Sequence, residues 1–185
     1  MKNRRFGAAV IALHWLTLLL LVAVYACMEL RGLAPKGSVL RADLKALHFS
    51  LGLTVLAVVA VRLAVRRVAG APPPIFPPLS LWQQRLARLA HVLLYAFLLA
   101  MPVLGWLALS AAGTPVLLFG LPMPALAAPD RVLAGQIREV HEALATAGYF
   151  LVGLHAAAAL AHHYLRHDNT LLRMLPARQV HGDER

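Results

Sequence analysis

Charge is what this chain has least of. Only 14% of its 185 residues are Asp, Glu, Lys or Arg, against about a quarter in an ordinary soluble domain. With 60% of residues among AVILMFWYC and a mean hydropathy of +0.68, this excludes a disordered chain and a soluble enzyme with a polar surface. What remains is a membrane protein with length for one domain, spanning 1–185. Acids are scarcer than bases, eight against eighteen, giving a net charge of +10. A nucleic-acid binder would gather its bases on one face. Here they are confined to short segments between long uncharged stretches, so their neighbours are the head groups of a phospholipid bilayer, not nucleic acid. A single cysteine, Cys27, excludes an internal disulfide and cannot alone hold an iron–sulfur cluster or a structural zinc. It reads as a small apolar filler.

Crossing the hydrocarbon core takes about 20 residues of helix, and four stretches have that length. Phe6–Met28 carries no charged residue; Ala46–Val61 is charge-free and reaches spanning length between Asp43 and Arg66; Leu89–Pro129 carries no charge at all; Ala143–Leu165 is the fourth. Gly113, Pro115, Gly120, Pro122 and Pro124 break the third stretch after Ala112, leaving an apolar, irregular loop at the membrane surface. The expected fold is therefore all-α, a four-helix transmembrane bundle with helices over about 6–30, 43–66, 82–112 and 138–166. The first stretch is too long for the h-region of a signal peptide and no small-x-small site closes it. Ala71–Pro78, APPPIFPP, is an extended linker.

Four crossings put both termini on one side. With the termini inside, twelve basic residues lie inside (Lys2, Arg4, Arg5, Arg62, Arg66, Arg67, Arg85, Arg88, Arg166, Arg173, Arg178, Arg185) and six outside (Arg31, Lys36, Arg41, Lys45, Arg131, Arg138). The positive-inside rule then makes both ends cytoplasmic.

Nine histidines in so apolar a chain are the anomaly, because ionisable residues within a membrane are rare and functional. His14 lies two turns into the first helix from the inner side. His48 and His141 lie near the outer ends of the second and fourth helices. His155 follows His141 by 14 residues, about 21 Å along the axis and within about 40° of a whole number of turns. The four sort by depth into an outer pair, His48 with His141, and an inner pair, His14 with His155. Zinc would want three or four ligands at one depth. An iron held in a flat ring takes one ligand on each face, and two imidazoles from opposing helices provide that. Two b haems, each bis-histidine and without a Cys-x-x-Cys-His attachment, follow. Glycines lie nearby: Gly148 midway between His141 and His155 on their face, Gly52 one turn after His48, and Gly7 two turns before His14. Small residues of this kind allow a flat group to approach a helix. His167 and His181 read as solvated tail residues and His163 as an interfacial one; Trp15, Trp82 and Trp106 read as interface or packing aromatics.

Several segments carry a resemblance: His14-Trp15; Met28-Glu29-Leu30-Arg31-Gly32; His48 with Gly52; the loop FGLPMP from Phe119; and HEALATAGYFLVGLHAAAALAHHYLRHDNTLLRMLP from His141. On these the chain resembles the bacterial cytochrome b561 family, in particular its superoxide oxidase members, over nearly its whole length. The resemblance implies a multi-pass inner-membrane bundle with two b haems ligated by His14, His48, His141 and His155. It also implies oxidation of periplasmic superoxide to dioxygen with electrons delivered to ubiquinone; no obligate protein partner is expected. Under that reading Arg31, Lys36, Arg41, Lys45, Arg131 and Arg138 are candidates to steer the anion to the outer face. His162, about 10 Å beyond His155 on its face, and His91 at a similar depth are candidates for hydrogen-bond or proton exchange with the quinone, and each is also a competing candidate ligand for the inner haem. The alternative is a cytochrome b subunit linking quinone to a partner dehydrogenase or hydrogenase.

Overall fold

A computed structural model describes residues 5–176; Lys2, Arg4, Arg178, His181 and Arg185 lie outside the described residues. Four long helices dominate: α1 (Ala8–Leu33), α2 (Val39–Val68), α3 (Leu81–Ala111) and α4 (Arg131–Tyr164). Each is long and apolar enough to cross a membrane. A helix satisfies every backbone donor and acceptor within itself, which is what a solvent without hydrogen bonds demands.

The helix ends follow local chemistry more closely than hydropathy. Ser38 caps α2, its hydroxyl accepting from the Arg41 N–H, so α2 begins at Val39 and not near Asp43. Asp130 caps α4, accepting from the Val132 and Leu133 N–H groups at 2.9 and 3.0 Å. That cap moves the start of α4 to Arg131, seven residues ahead of the expected 138. The capping box of Ser80 and Gln83 starts α3 directly after the proline-rich linker.

The segment after α3 is more ordered than an irregular loop. Val116–Leu118 (β1) and Leu121–Met123 (β2) pair antiparallel, joined by Phe119 at φ 48° and Gly120 at φ 88°. Two successive left-handed residues are the turn that matches the twist of a tight hairpin, and Gly120 adopts the second without a Cβ penalty. The Ser50 side chain pins this hairpin to α2 by donating to the Leu117 carbonyl at 3.3 Å and accepting from the Phe119 N–H at 3.0 Å.

Helix α1 packs on α2, α2 on α3, and α3 on α4. α1 and α4 are joined mainly through long side chains: Tyr25 Oη donates to the Ala145 carbonyl at 2.8 Å, Tyr149 Oη donates to Glu29 at 2.6 Å, and the two tyrosine rings lie 4.3 Å apart. The buried core is small and sits midway along the bundle, at Val55, Val59 and Leu98, with Phe97, Tyr95 and Leu21 packed around it. Val55 lies seven residues from His48, and Gly148 lies seven from both His141 and His155. The packed layer thus separates the two histidine levels. At the end carrying the termini, the segment after α4 folds back: the Phe6 N–H donates to the Arg173 carbonyl at 3.0 Å and Trp15 Nε1 to that of Met174 at 2.8 Å.

Candidate functional site

The level nearer the hairpin is built from α2 and α4. His48 and His141 face each other with ring centroids 6.3 Å apart and planes at 75°. His48 Nδ1 lies 3.0 Å from the Val24 carbonyl of α1. A carbonyl only accepts, so Nδ1 carries the proton and Nε2 presents its lone pair, the form in which histidine ligates a metal. His141 Nδ1 is buried with no hydrogen-bond partner among the described residues. Its ring is approached by Gly105 of α3, where an added Cβ would stand 3.4 Å from His141 Cε1. Beside the pair opens a cavity of about 250 Å³, lined by Gly52, Gly105, Met101, Pro102, Tyr25 and Glu29 together with the two histidines.

The level nearer the termini is built from α1, α4, α3 and α2. His14 and His155 have centroids 6.4 Å apart with planes at 66°. His91 of α3 stands 5.6 Å from His155, so it belongs to this level and does not lie beyond it toward the terminus. Its Nδ1 is engaged by the Ala87 carbonyl of its own helix. Arg62 Nη2 lies 2.8 Å from His14 Nδ1, and its guanidinium sits over the Tyr95 ring at 5.4 Å.

These spacings suit a metal held between two imidazoles. A ligating nitrogen stands about 2 Å from its metal and the ring centre about 1 Å further, so two imidazoles trans across one ion place their centroids about 6 Å apart. Both pairs match, and so does His91 with His155 at 5.6 Å, while the described residues contain no group of three or more His, Cys, Asp or Glu positioned around one ion. An iron whose remaining ligands come from a porphyrin suits a two-imidazole donor set. The glycine-flanked cavity beside His141 is a further feature that suits a large planar group.

Not every expected contributor lies where the sequence suggested. Gly148 does not leave room for a flat group: a Cβ there would collide with Phe97 and Tyr25, so its function is to admit those rings into the middle layer. Gly52 lines the cavity and Gly7 faces open space. His162 is tied into the closing turn, its Nδ1 2.5 Å from Asp168. Burial pushes the Asp168 carboxyl up, but hydrogen bonds from His162 and Thr170 outweigh it and hold the group below the usual carboxylate range. Among the basic residues of the hairpin end, Arg41 donates to the carbonyls of Arg31 and Ala34 at 2.7 and 3.0 Å and so clamps the α1–α2 turn. Arg138 lies 3.6 Å from Glu142, Lys45 lies over Phe49 at 5.5 Å, Arg31 Nε is buried without a partner among the described residues, and Lys36 and Arg131 are exposed.

Sequence reasoning passed over Arg62, Asp168, Gly105 and the Tyr149–Glu29 pair. One signal for Arg62 was present. It follows His48 by 14 residues on α2, the spacing that separates His141 and His155 on α4.

The family model of prokaryotic cytochrome b561 matches residues 5–177. Cytochrome b561 homolog 1 of Escherichia coli (strain K12) is 39% identical over 95% of this chain and 99% of its own length. Probable superoxide oxidase CybB of Yersinia pestis is 36% identical over 96% of the chain and 99% of its own. Cytochrome b561 homolog 2 of E. coli is 30% identical over 92% and 91%.

Proposed function

The chain belongs to the prokaryotic cytochrome b561 family, a multi-pass bacterial membrane electron-transfer protein with b-type haem, and from that premise we propose that it is a superoxide:ubiquinone oxidoreductase of the inner membrane. Each of two superoxide anions loses one electron and leaves as dioxygen; ubiquinone takes up the two electrons and two protons to form ubiquinol. The observation that carries this reading is the stacking of two histidine pairs, 6.3 and 6.4 Å across, at levels about 21 Å apart along α4. The name of the Yersinia pestis relative, probable superoxide oxidase, supports the choice of electron donor.

His48 with His141 and His14 with His155 are the ligands of two b haems in this proposal. Bound there, haem supplies the one-electron redox centres. The surrounding residues do the rest. The Val24 carbonyl holds the His48 ring in its ligating tautomer. The hairpin end faces the periplasm and both termini the cytoplasm, as the distribution of bases favours. Lys36, Arg131, Lys45, Arg31, Arg41 and Arg138 share this end with Glu29, Asp43, Asp130, Glu139 and Glu142, a net charge of +1; in this proposal the bases beside the approach path raise the encounter rate of a small anion locally. At the other end His162 Nδ1 donates to Asp168, so Nε2 offers a lone pair in the neutral ring and a second N–H only in the imidazolium, the form that can donate to a quinone carbonyl and pass on a proton. His91, beside His155, is a second and weaker candidate for that contact.

Superoxide consumption by the purified protein with added ubiquinone tests the proposal. The expected result is stoichiometric ubiquinol and a rate that falls as ionic strength rises from 0.01 to 0.15 M, where the screening length shrinks from about 30 to about 8 Å. A purified protein inert to superoxide would move the chain to a cytochrome b subunit serving a partner dehydrogenase, and a salt-independent rate would remove the steering.

A further inference from the structure

We infer that Arg62 is the carboxylate anchor of the inner haem, and that loading this level requires Arg62 to release His14. The inference rests on the assignment of His14 and His155 as ligands made above. It begins from a difference between the two levels. His48 Nδ1 faces a carbonyl, an acceptor; His14 Nδ1 faces Arg62 Nη2 at 2.8 Å, a donor that cannot accept. In this arrangement His14 Nδ1 spends its lone pair on the guanidinium, and the ring proton of neutral imidazole resides on Nε2. Such a ring cannot ligate through Nε2. To do so it must carry its proton on Nδ1, and two N–H groups cannot share one hydrogen bond. Ligation at His14 and the Arg62 contact are therefore mutually exclusive.

A released Arg62 needs an anion. It is partly buried, on a membrane-spanning helix, and no carboxylate among the described residues lies within 4.0 Å of it. An intramembrane guanidinium without a counter-ion is costly. Its charged neighbour along α2 makes this worse: Arg66 follows one turn later and lies against the Phe6 ring at 5.0 Å, where Arg173 also lies at 5.0 Å. Three cations converge at this end, and Arg173 Nε is also buried with no partner among the described residues. The spacing of 14 residues from His48 brings Arg62 to the inner level on the face that carries the outer ligand. The propionates of a b haem are carboxylates, and the planar fork of arginine pairs with them in bidentate fashion. Arg62 is thus a positioning residue with two exclusive partners, His14 before loading and a propionate after it.

The test compares wild type, Arg62→Gln and Arg62→Lys as purified haem-loaded proteins, with His14→Ala as a control on the ligand assignment. Two readouts are taken for each haem: the midpoint potential by spectroelectrochemistry at fixed pH, and the propionate carboxylate bands in the redox difference infrared spectrum of protein grown on carboxyl-labelled haem precursor. In Arg62→Gln, loss of the cation favours ferric iron by about tenfold, about 59 mV for a one-electron couple, lowering the potential of one haem only, and the propionate bands shift. Selective loss of that haem with the other retained is decided by Arg62→Lys through the same bands, since His14 alone could account for the loss. A lowered potential with unmoved propionate bands overturns it, since the cation then acts only through the field or through His14; no change in either readout overturns it as well. If Arg62→Gln loses both haems, Arg62→Lys decides by the same bands, because a point charge replaces a fork: shifted bands support the anchor and unmoved bands overturn it. His14→Ala that keeps both haems would overturn the ligand assignment itself, whatever Arg62 does.

Discussion

Replacing Gly148 by alanine adds one methyl group, and the structure determines where it goes. The new Cβ would fall on Phe97 Cζ and Cε2 and on Tyr25 Oη, closer than real carbon contacts come. Phe97 is a ring packed against the central layer of Val55, Val59 and Leu98, so it has little room to yield. Tyr25 can move only by giving up its 2.8 Å hydrogen bond to the Ala145 carbonyl and its stacking on Tyr149. Overpacking costs about 1–3 kcal/mol and the lost hydrogen bond about 1 kcal/mol. A total near 3 kcal/mol lowers the melting temperature of a chain of this size by about 6–12 °C. Gly153 supplies the control on the same helix, since a Cβ there meets nothing within 4 Å. Thermal unfolding of the detergent-solubilised protein, followed by tryptophan fluorescence, should show Gly148→Ala melting well below wild type and Gly153→Ala at or slightly above it. Equal melting temperatures for the two variants would refute the view that a glycine at 148 is required by the side chains spanning α1, α3 and α4.

Other expectations concern the end of the bundle that carries the termini. His162→Gln keeps a hydrogen-bond donor but cannot carry a proton; both haems should stay bound and reducible by superoxide while stopped-flow reoxidation by ubiquinone slows, with a smaller defect in His91→Gln. Wild-type reoxidation in both would move the quinone site elsewhere. The carboxyl of Asp168 is held below its ordinary value in the fold, so its stabilisation of the closing turn is complete above the unfolded value near pH 4 and is lost as pH falls through the lower folded value. Melting temperatures of wild type and Asp168→Asn should therefore differ at pH 6, begin to converge only below about pH 4 and meet once the pH is under the lower folded value; a gap that does not shrink in acid would mean that the carboxylate charge contributes nothing.

The four spans were legible because length and hydropathy decide them, and the meeting of His48 with His141 and His14 with His155 was legible because a 14-residue step returns to one face of a helix. What hydropathy does not carry was lost. The early start of α4 depends on one hydrogen-bonding side chain, Asp130, beneath a stretch rich in charge. The hairpin depends on the left-handed pair Phe119-Gly120 and on Ser50, which is distant in sequence. Gly148 carried a correct position and a wrong purpose, because periodicity places a residue on a face without saying what arrives opposite. Arg62 was counted among the bases that set topology, and only the fold shows its contact with His14. The pairing of His162 with Asp168 spans the end of α4, where helical periodicity stops applying.

The central claim is that two levels each hold one haem between the histidines that face each other there. Haem-to-protein ratio by pyridine haemochromogen, taken on wild type, the four single alanine variants and the double variants within each pair, tests it most directly. The account predicts two haems per chain in wild type and one in each of His48→Ala, His141→Ala, His14→Ala and His155→Ala. The double variants His48→Ala/His141→Ala and His14→Ala/His155→Ala should lose no more than either single, whereas a double variant drawing one histidine from each level should lose both. One haem per chain in wild type, or one haem surviving in His48→Ala/His155→Ala, would contradict it.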